Sequence, residues 1–280
     1  MVVGCGSRVA PGGRVLRVPV CAAVLLALLS PEPSLAGAWL QPPGTAYLRW
    51  SGGYLGTDQR FDANGRTIPF DNAGGGTRDT RFKDASFTLY SEWGVHADWN
   101  LLAEATWKYV EAVQPSATFK TWGPGDVRLG VKRGVLRRER LVAAAGILTV
   151  IPTGYEQDEY PSLGSGVWEL AGFTQIGGSG HGYWWNGDVL LGGRGHPFRP
   201  LLEAAANGGT GIGSRIGLRF EVRGGLPTGA ARRTGSDVRF DPATVDPSWL
   251  DLAGTASFDL RNGLAVEAEG LVHQRLLRLG

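Results

Sequence analysis

The sequence predicts an all-β protein, an antiparallel transmembrane β-barrel of about 12 strands, of which eleven are recognisable. Three observations predict this fold class. Stretches of about ten residues alternate between apolar and polar side chains, short and long connections alternate between them, and aromatic residues rim the apolar face. Glycine, at 44 of 280 residues and without a collagen-like period, favours turn-rich β structure over a helix bundle.

The first segment, residues 1–38, is predicted to be a secretory signal peptide. Three arginines precede an apolar run from Val18 to Leu29, which is too short to span a bilayer, and small residues follow around Ala36. Export and barrel formation together predict that residues 39–280 form a β-barrel in the outer membrane of a Gram-negative bacterium. Cleavage of the leader is part of this prediction.

The same leader accounts for the basic charge and for the cysteines. Removing residues 1–36 takes away three arginines and Glu32, which leaves 25 basic and 25 acidic side chains. A neutral mature chain offers no basic surface for nucleic acid, so no nucleic-acid partner is predicted. Both cysteines, Cys5 and Cys21, belong to the leader. The mature chain is therefore expected to lack disulfides and free thiols.

The clearest strand covers residues 99–109, where the side chains alternate with a period of two. One face carries Trp99, Leu101, Ala103, Ala105, Trp107 and Tyr109. The other face carries Asn100, Glu104, Thr106 and Lys108, with Leu102 as an exception. The eleven predicted strands lie around 46–54, 85–90, 99–109, 127–132, 141–152, 166–176, 183–192, 199–206, 216–222, 250–258 and 264–275.

The connections between these strands alternate in length. Long loops are predicted near 56–80, 111–123, 153–165 and 226–247. Short turns are predicted near 94–98, 134–140, 177–181, 207–211 and 261–263. The segment near 193–198 is short on the side where a long loop is expected. Asn64-Gly65 predicts a small hairpin inside the first long loop.

A soluble exported β-sandwich that binds an apolar ligand would show the same alternation and stays open as an alternative. The barrel is favoured because one face carries charges and the other is rimmed by aromatic residues, as in the girdles of membrane barrels. The rim residues are Trp50, Trp99, Trp107, Tyr109, Trp168 and Trp185. Single-chain bacterial barrels close with an even number of strands, so a twelfth strand is expected to be missing or garbled here.

No catalytic, cofactor or metal site is predicted. His96, His181, His196 and His273 have no second ligand at a suitable spacing, which argues against zinc. Ser179 lies near His181, but the surrounding glycines do not form a nucleophile elbow. The chain is therefore not expected to be an enzyme. Gly208–Gly213 precedes a strand and no helix, which indicates a tight turn rather than a phosphate site.

Several short motifs together carry a family resemblance. They are Gly37-Ala38-Trp39-Leu40-Gln41-Pro42, Phe61-Asp62-Ala63-Asn64-Gly65, Gly125-Asp126-Val127-Arg128-Leu129-Gly130-Val131-Lys132, Ile151-Pro152-Thr153-Gly154-Tyr155 and Leu163-Gly164-Ser165-Gly166. With these motifs the chain resembles the outer-membrane proteins grouped with the meta-pathway of phenol degradation. The resemblance spans about residues 37–270. It implies an outer-membrane channel for small, aromatic or hydrophobic compounds.

The polar face of the strands is predicted to line the lumen of a narrow passive channel. Its lining residues are expected to be Glu104, Lys108, Arg128, Lys132, Arg215, Arg219 and Glu221, with same-strand pairs such as Glu104 and Lys108 in opposition. The expected partners are outer-membrane lipid and a small-molecule solute. A plugged structural or binding barrel without transport is the alternative.

Overall fold

The computed structural model describes residues 2–4, 37–61, 67–69, 81–113, 117–155, 161–195, 198–213, 215–228, 248–260 and 265–276. Its strands are β1 (Val2–Gly4), β2 (Ala46–Thr57), β3 (Gln59–Phe61), β4 (Thr67–Pro69), β5 (Arg81–His96), β6 (Trp99–Val113), β7 (Thr118–Arg138), β8 (Leu141–Ile151), β9 (Glu169–Ser179), β10 (Tyr183–Arg194), β11 (Leu201–Ile212), β12 (Ile216–Pro227), β13 (Ser248–Asp259) and β14 (Ala265–Leu276). Over these ranges no helix is long and apolar enough to cross a membrane.

The eleven long strands form one strongly curled antiparallel sheet in the order β2, then β5 through β14. This confirms the all-β barrel-like fold and the eleven predicted strands. β3 and β4 pair as a separate hairpin in the first long connection, as predicted. The turn of that hairpin, with Asn64-Gly65, lies outside the described residues.

The first and last long strands meet through β1. Because their number is odd, β2 and β14 run in the same direction, and β1 pairs in parallel with both, through Val2 with Glu267 and with Ser51. The short β1 therefore occupies the position where the sequence predicts a twelfth strand. It belongs to the segment predicted as the leader.

The two ends of the barrel differ in their connections, and we name them accordingly. At the turn end the connections are residues 97–98, 139–140, 180–182, 213–215 and 260–264. At the loop end they are residues 58–80, 114–117, 152–168, 195–200 and 228–247. Most residues of the last predicted loop lie outside the described ranges.

Three predicted connections differ most in length or position. The turn predicted near 134–140 shortens to 139–140, because β7 pairs with β8 as far as Arg138 with Leu141. The loop predicted over 111–123 shrinks to 114–117, because β6 and β7 continue pairing as far as Val113 with Thr118. The turn predicted near 207–211 lies at 213–215, because Gly208 and Gly209 pair with both neighbouring strands. Glycines within a strand resemble turn residues in the sequence, although here they make room for Trp184 and Trp185.

The two faces of the sheet have opposite chemistry. Between the two ends of the barrel, outward side chains are apolar and exposed, including all six predicted rim residues, whereas most charged side chains of the strands face the interior. On β6 the rim residues Trp99 and Tyr109 are separated by ten positions, about 33 Å along the strand at ~3.3 Å per residue. A strand tilt of ~40° reduces this to about 25 Å along the axis, the height of the apolar band of outer-membrane barrels.

Candidate functional site

The interior wall is lined with ion pairs between neighbouring strands. Glu104 on β6 is 3.3 Å from Arg128 on β7, and Lys108 Nζ is 2.8 Å from Asp84 on β5. The register aligns these residues directly or within two positions, which brings their side chains together on one face. The predicted same-strand opposition of Glu104 and Lys108 is replaced by pairs across strands.

A second charged group lines the wall formed by β12, β13 and β14. Arg219 Nη2 lies 3.0 Å from Glu269 and 4.0 Å from Glu267, and it also donates to Thr255. Four residues further along β12, Arg223 Nε lies 3.6 Å from Glu221. Each arginine of this group is thus paired with carboxylates, and because Asp251 also lies 3.9 Å from Arg223 Nε, acidic side chains outnumber the two arginines on this part of the wall.

A buried pair of opposite charges lies near the turn end. Lys132 Nζ is 2.6 Å from Glu92 Oε1, and both side chains are almost completely inaccessible to solvent. Asn100 Nδ2 donates to the same carboxylate at 2.5 Å, and the Tyr90 hydroxyl donates to Glu92 Oε2 at 3.0 Å. A buried charge must be paired and hydrogen-bonded to be tolerated, and this carboxylate meets both conditions.

The same lysine holds a chain segment inside the barrel. Lys132 Nζ donates to the carbonyl oxygens of Gly37 at 2.7 Å and Trp39 at 3.0 Å. The Ala38 amide donates to Asn186 Oδ1 at 3.0 Å. Residues 37–42, which we call the inner segment, therefore enter the lumen at the turn end and are fixed there by polar contacts.

Glycines on the interior wall make room for the inner segment. A Cβ at Gly94 would overlap the carbonyl oxygens of Gln41 and Pro42, one at Gly134 would crowd Leu40, and one at Gly177 would crowd Trp39. These glycines come from β5, β7 and β9. The motif at residues 37–42 and glycines far away in the sequence thus form one structural unit.

The loop end is narrowed by a second segment that folds inward. Asp126 on the interior face of β7 accepts hydrogen bonds from the Tyr155 hydroxyl, from the Ser165 amide at 3.0 Å and from the Ser165 hydroxyl at 3.1 Å. The Gly166 amide donates to Tyr155 Oη at 2.9 Å. We call residues 152–168, of which 156–160 lie outside the described ranges, the outer loop.

Further contacts fix the two sides of the outer loop. Thr153 Oγ1 donates to the carbonyl oxygens of Pro124 and Gly125 at 3.0 and 2.9 Å, and Leu163 is buried against Gly123 and Gly125. Burial and then the hydrogen bond to Asp126 raise the pKa of Tyr155. The phenol is therefore held in its protonated form, as a donor to the carboxylate. Three of the motifs behind the family resemblance meet at Asp126.

A cavity of about 180 Å³ lies along the interior wall of the barrel, between the inner segment and the outer loop. Its interior lining is apolar on one part, from Leu102, Leu148, Phe173 and Leu190, and polar on the other, from Tyr90, Glu104, Arg128, Gln175 and Asp188. Gln175 Oε1 is buried and has no hydrogen-bond partner among the described residues. The cavity can accept a small molecule with an apolar body and a polar group.

Six of the predicted lumen residues lie on the interior face, and Arg215 does not. Arg215 is exposed in the turn at 213–215, since that turn is shifted from the predicted position. Lys132 is buried against the inner segment. The interior residues that sequence reasoning missed include Asp84, Glu92, Asn186, Asp188 and Glu267. Extending the predicted 85–90 strand in both directions with its period of two would have found Asp84 and Glu92.

The residues considered for chemistry are scattered. Ser165 Oγ bonds to Asp126 and to the Val167 carbonyl, whereas Ser179 ends β9 and His181 lies in the following turn. No group of three or more His, Cys, Asp or Glu residues that could hold a metal is found in the ranges that the structure describes.

Comparison with known protein families finds no family model that matches this chain, and comparison with curated proteins finds no match.

Proposed function

We propose that the protein is a β-barrel of the Gram-negative outer membrane through which small solutes diffuse, with the turn end in the periplasm and the loop end outside. The observation that carries this proposal is the reversed distribution of polarity. Apolar and aromatic side chains cover the outside over a band of about 25 Å, and ionised side chains line the inside. A soluble protein would bury its apolar face instead.

The proposed solutes are small molecules with an apolar body and one polar group. The mixed lining of the cavity and the unpartnered Gln175 oxygen support this class. The resemblance to the phenol-degradation outer-membrane proteins points to aromatic or hydrophobic compounds and is part of the proposal. No enzymatic step is proposed, and passage would be diffusive.

A plugged barrel without transport is the second candidate. The buried Lys132–Glu92 pair favours it, because the pair fixes the inner segment within the lumen. In a gated channel, the inner segment and the outer loop would have to move for a solute to pass.

Conductance across a planar bilayer separates these two candidates. The purified, refolded protein is expected to give discrete current steps, small because both ends are narrowed. Insertion is checked in parallel by the shift in gel mobility on heating in detergent. Inserted protein that stays electrically silent would contradict the channel and support the plugged barrel.

A further inference from the structure

The outward face of the barrel carries a group of three cations around one carboxylate at the loop end. Glu111 Oε1 lies 3.2 Å from Lys83 Nζ and 3.6 Å from Arg81 Nη2, and Glu111 Oε2 lies 3.5 Å from Lys120 Nζ. The Tyr109 hydroxyl donates to Oε2 at 2.9 Å. These contacts come from three adjacent strands, β5, β6 and β7.

The carboxylate is buried at the centre of this group and the cations are accessible. The Glu111 side chain is 8% exposed, whereas those of Lys83, Arg81 and Lys120 are 31%, 53% and 56% exposed. Each lysine ammonium has three donors, and only part of this capacity is directed at Glu111. The carboxylate thus holds the cations close together while leaving donors for an external anion.

Among the described residues, positive charge exceeds negative charge around Lys83 and Lys120. Asp58 directly follows Thr57, the register partner of Phe82, and therefore lies on the Arg81 side. Lys83 and Lys120 share the single Glu111 carboxylate between them. An anion that met both lysines would complete the charge balance there.

The height of the group in the barrel identifies the kind of anion. Lys120 and Trp122 lie on the same face of β7, two residues apart. Lys120 is therefore about 7 Å nearer the loop end than Trp122. Trp122 packs with Trp107 at a ring separation of 6.0 Å, and both rings are exposed on the outer face. Tryptophans of membrane proteins lie at the boundary of the apolar layer, so the cations lie at the level of lipid headgroups.

We propose that Lys83 and Lys120, flanked by Arg81, bind a phosphate group of an anionic lipid in the outer leaflet around the loop end. A phosphorylated glycolipid is the occupant of that leaflet whose phosphate lies at this height. The exposed rings of Trp107 and Trp122 contact its acyl chains. This site rests on the membrane insertion proposed above.

Native mass spectrometry of the folded protein in detergent tests the site. The probes are lipid A, which carries two phosphates, its dephosphorylated form, and inorganic phosphate alone. Lipid A is expected to bind the protein at least tenfold more tightly than the dephosphorylated form. The double variant K83Q/K120Q is expected to lose at least tenfold in that affinity. The matched control is R137Q/R138Q, which removes two exposed cations at the turn end and should change the affinity less than twofold.

Three outcomes would overturn the site: equal binding of the two glycolipids, equal losses in the two double variants, or inorganic phosphate bound as tightly as lipid A. The single variant K120Q, at the most exposed cation, covers the case in which the double variant misfolds and should still weaken binding. Failure of the protein to insert into vesicles would refute the proposed function. Insertion without selective lipid binding would refute only this site.

Discussion

Individual residues near the turn end show how a charged interior is stabilised. Lys132 and Glu92 lie on β7 and β5, on either side of β6. Asn100 and Tyr90 donate further hydrogen bonds to Glu92, and Lys132 donates to two carbonyl oxygens of the inner segment. Lys108 and Asp84 form a pair at a similar distance, yet both side chains are partly exposed. Comparing the two pairs therefore separates the effect of burial on stability from the effect of ion pairing.

Replacing Lys132 with Met is expected to lower the free energy of unfolding by about 3–5 kcal/mol, because it leaves Glu92 as an uncompensated buried charge. Urea unfolding from lipid vesicles, followed by tryptophan fluorescence, measures this. The control K108M should cost at most about 1 kcal/mol, since its pair is partly solvated. Equal losses in the two variants would contradict the role given to burial.

Tyr155 makes the outer loop sensitive to alkaline pH. Its folded pKa is raised above the ordinary value of about 10. The unfolded chain therefore releases this proton first as pH rises. The stabilisation by Tyr155 is complete below pH ~10 and is lost at higher pH, by up to about 1.4 kcal/mol per pH unit.

The comparison with Y155F tests this pH dependence. From pH 9 to pH 11 the free energy of unfolding of the wild type should fall more steeply than that of Y155F, whereas below pH 9 the difference between them should be constant. Parallel curves over the whole range would show that the Tyr155 hydroxyl keeps its ordinary pKa.

At the scale of the elements, the strands were predictable and the two inward segments were not. A period of two is local, so residues 99–109 alone reveal a strand with one apolar face. The inner segment packs on glycines of β5, β7 and β9, and the outer loop bonds to Asp126 about 30 to 40 residues earlier in the chain. Such contacts depend on how the sheet curls. The periodicity of a single strand carries no information about that curvature.

The inner segment should restrict current through the lumen. In G94A the new methyl group would overlap the carbonyl oxygens of Gln41 and Pro42, so the segment must shift. Single-channel conductance of G94A is expected to exceed that of the wild type. In the control G211A, which is also on the interior face, the new Cβ would lie 3.9 Å from the carbonyl oxygens of Gly213 and Ile216, an ordinary contact, so this variant should conduct like the wild type.

An unchanged conductance in G94A, with its insertion confirmed by the heat-dependent mobility shift, would show that the inner segment does not limit the passage of ions.

At the scale of the whole molecule, polarity is distributed in reverse relative to a soluble protein. Among the described residues few large apolar side chains are buried, and the exposed ones form a band between aromatic residues at the two ends. The sequence was sufficient to predict this arrangement, because alternate residues of each strand are apolar and polar and so reveal its outward and inward faces. It could not predict the cross-strand ion pairs, whose partners depend on register between strands distant in sequence.

The most direct test of this arrangement uses spin labels at adjacent positions of β12. Both cysteines of the chain are in the predicted leader, so F220C and E221C would each give the mature protein one thiol. In vesicles, the label at outward-facing position 220 should collide mainly with lipid-soluble oxygen. The label at inward-facing position 221 should collide more with a water-soluble nickel complex. Equal, water-dominated accessibility at both positions would contradict the membrane-embedded barrel.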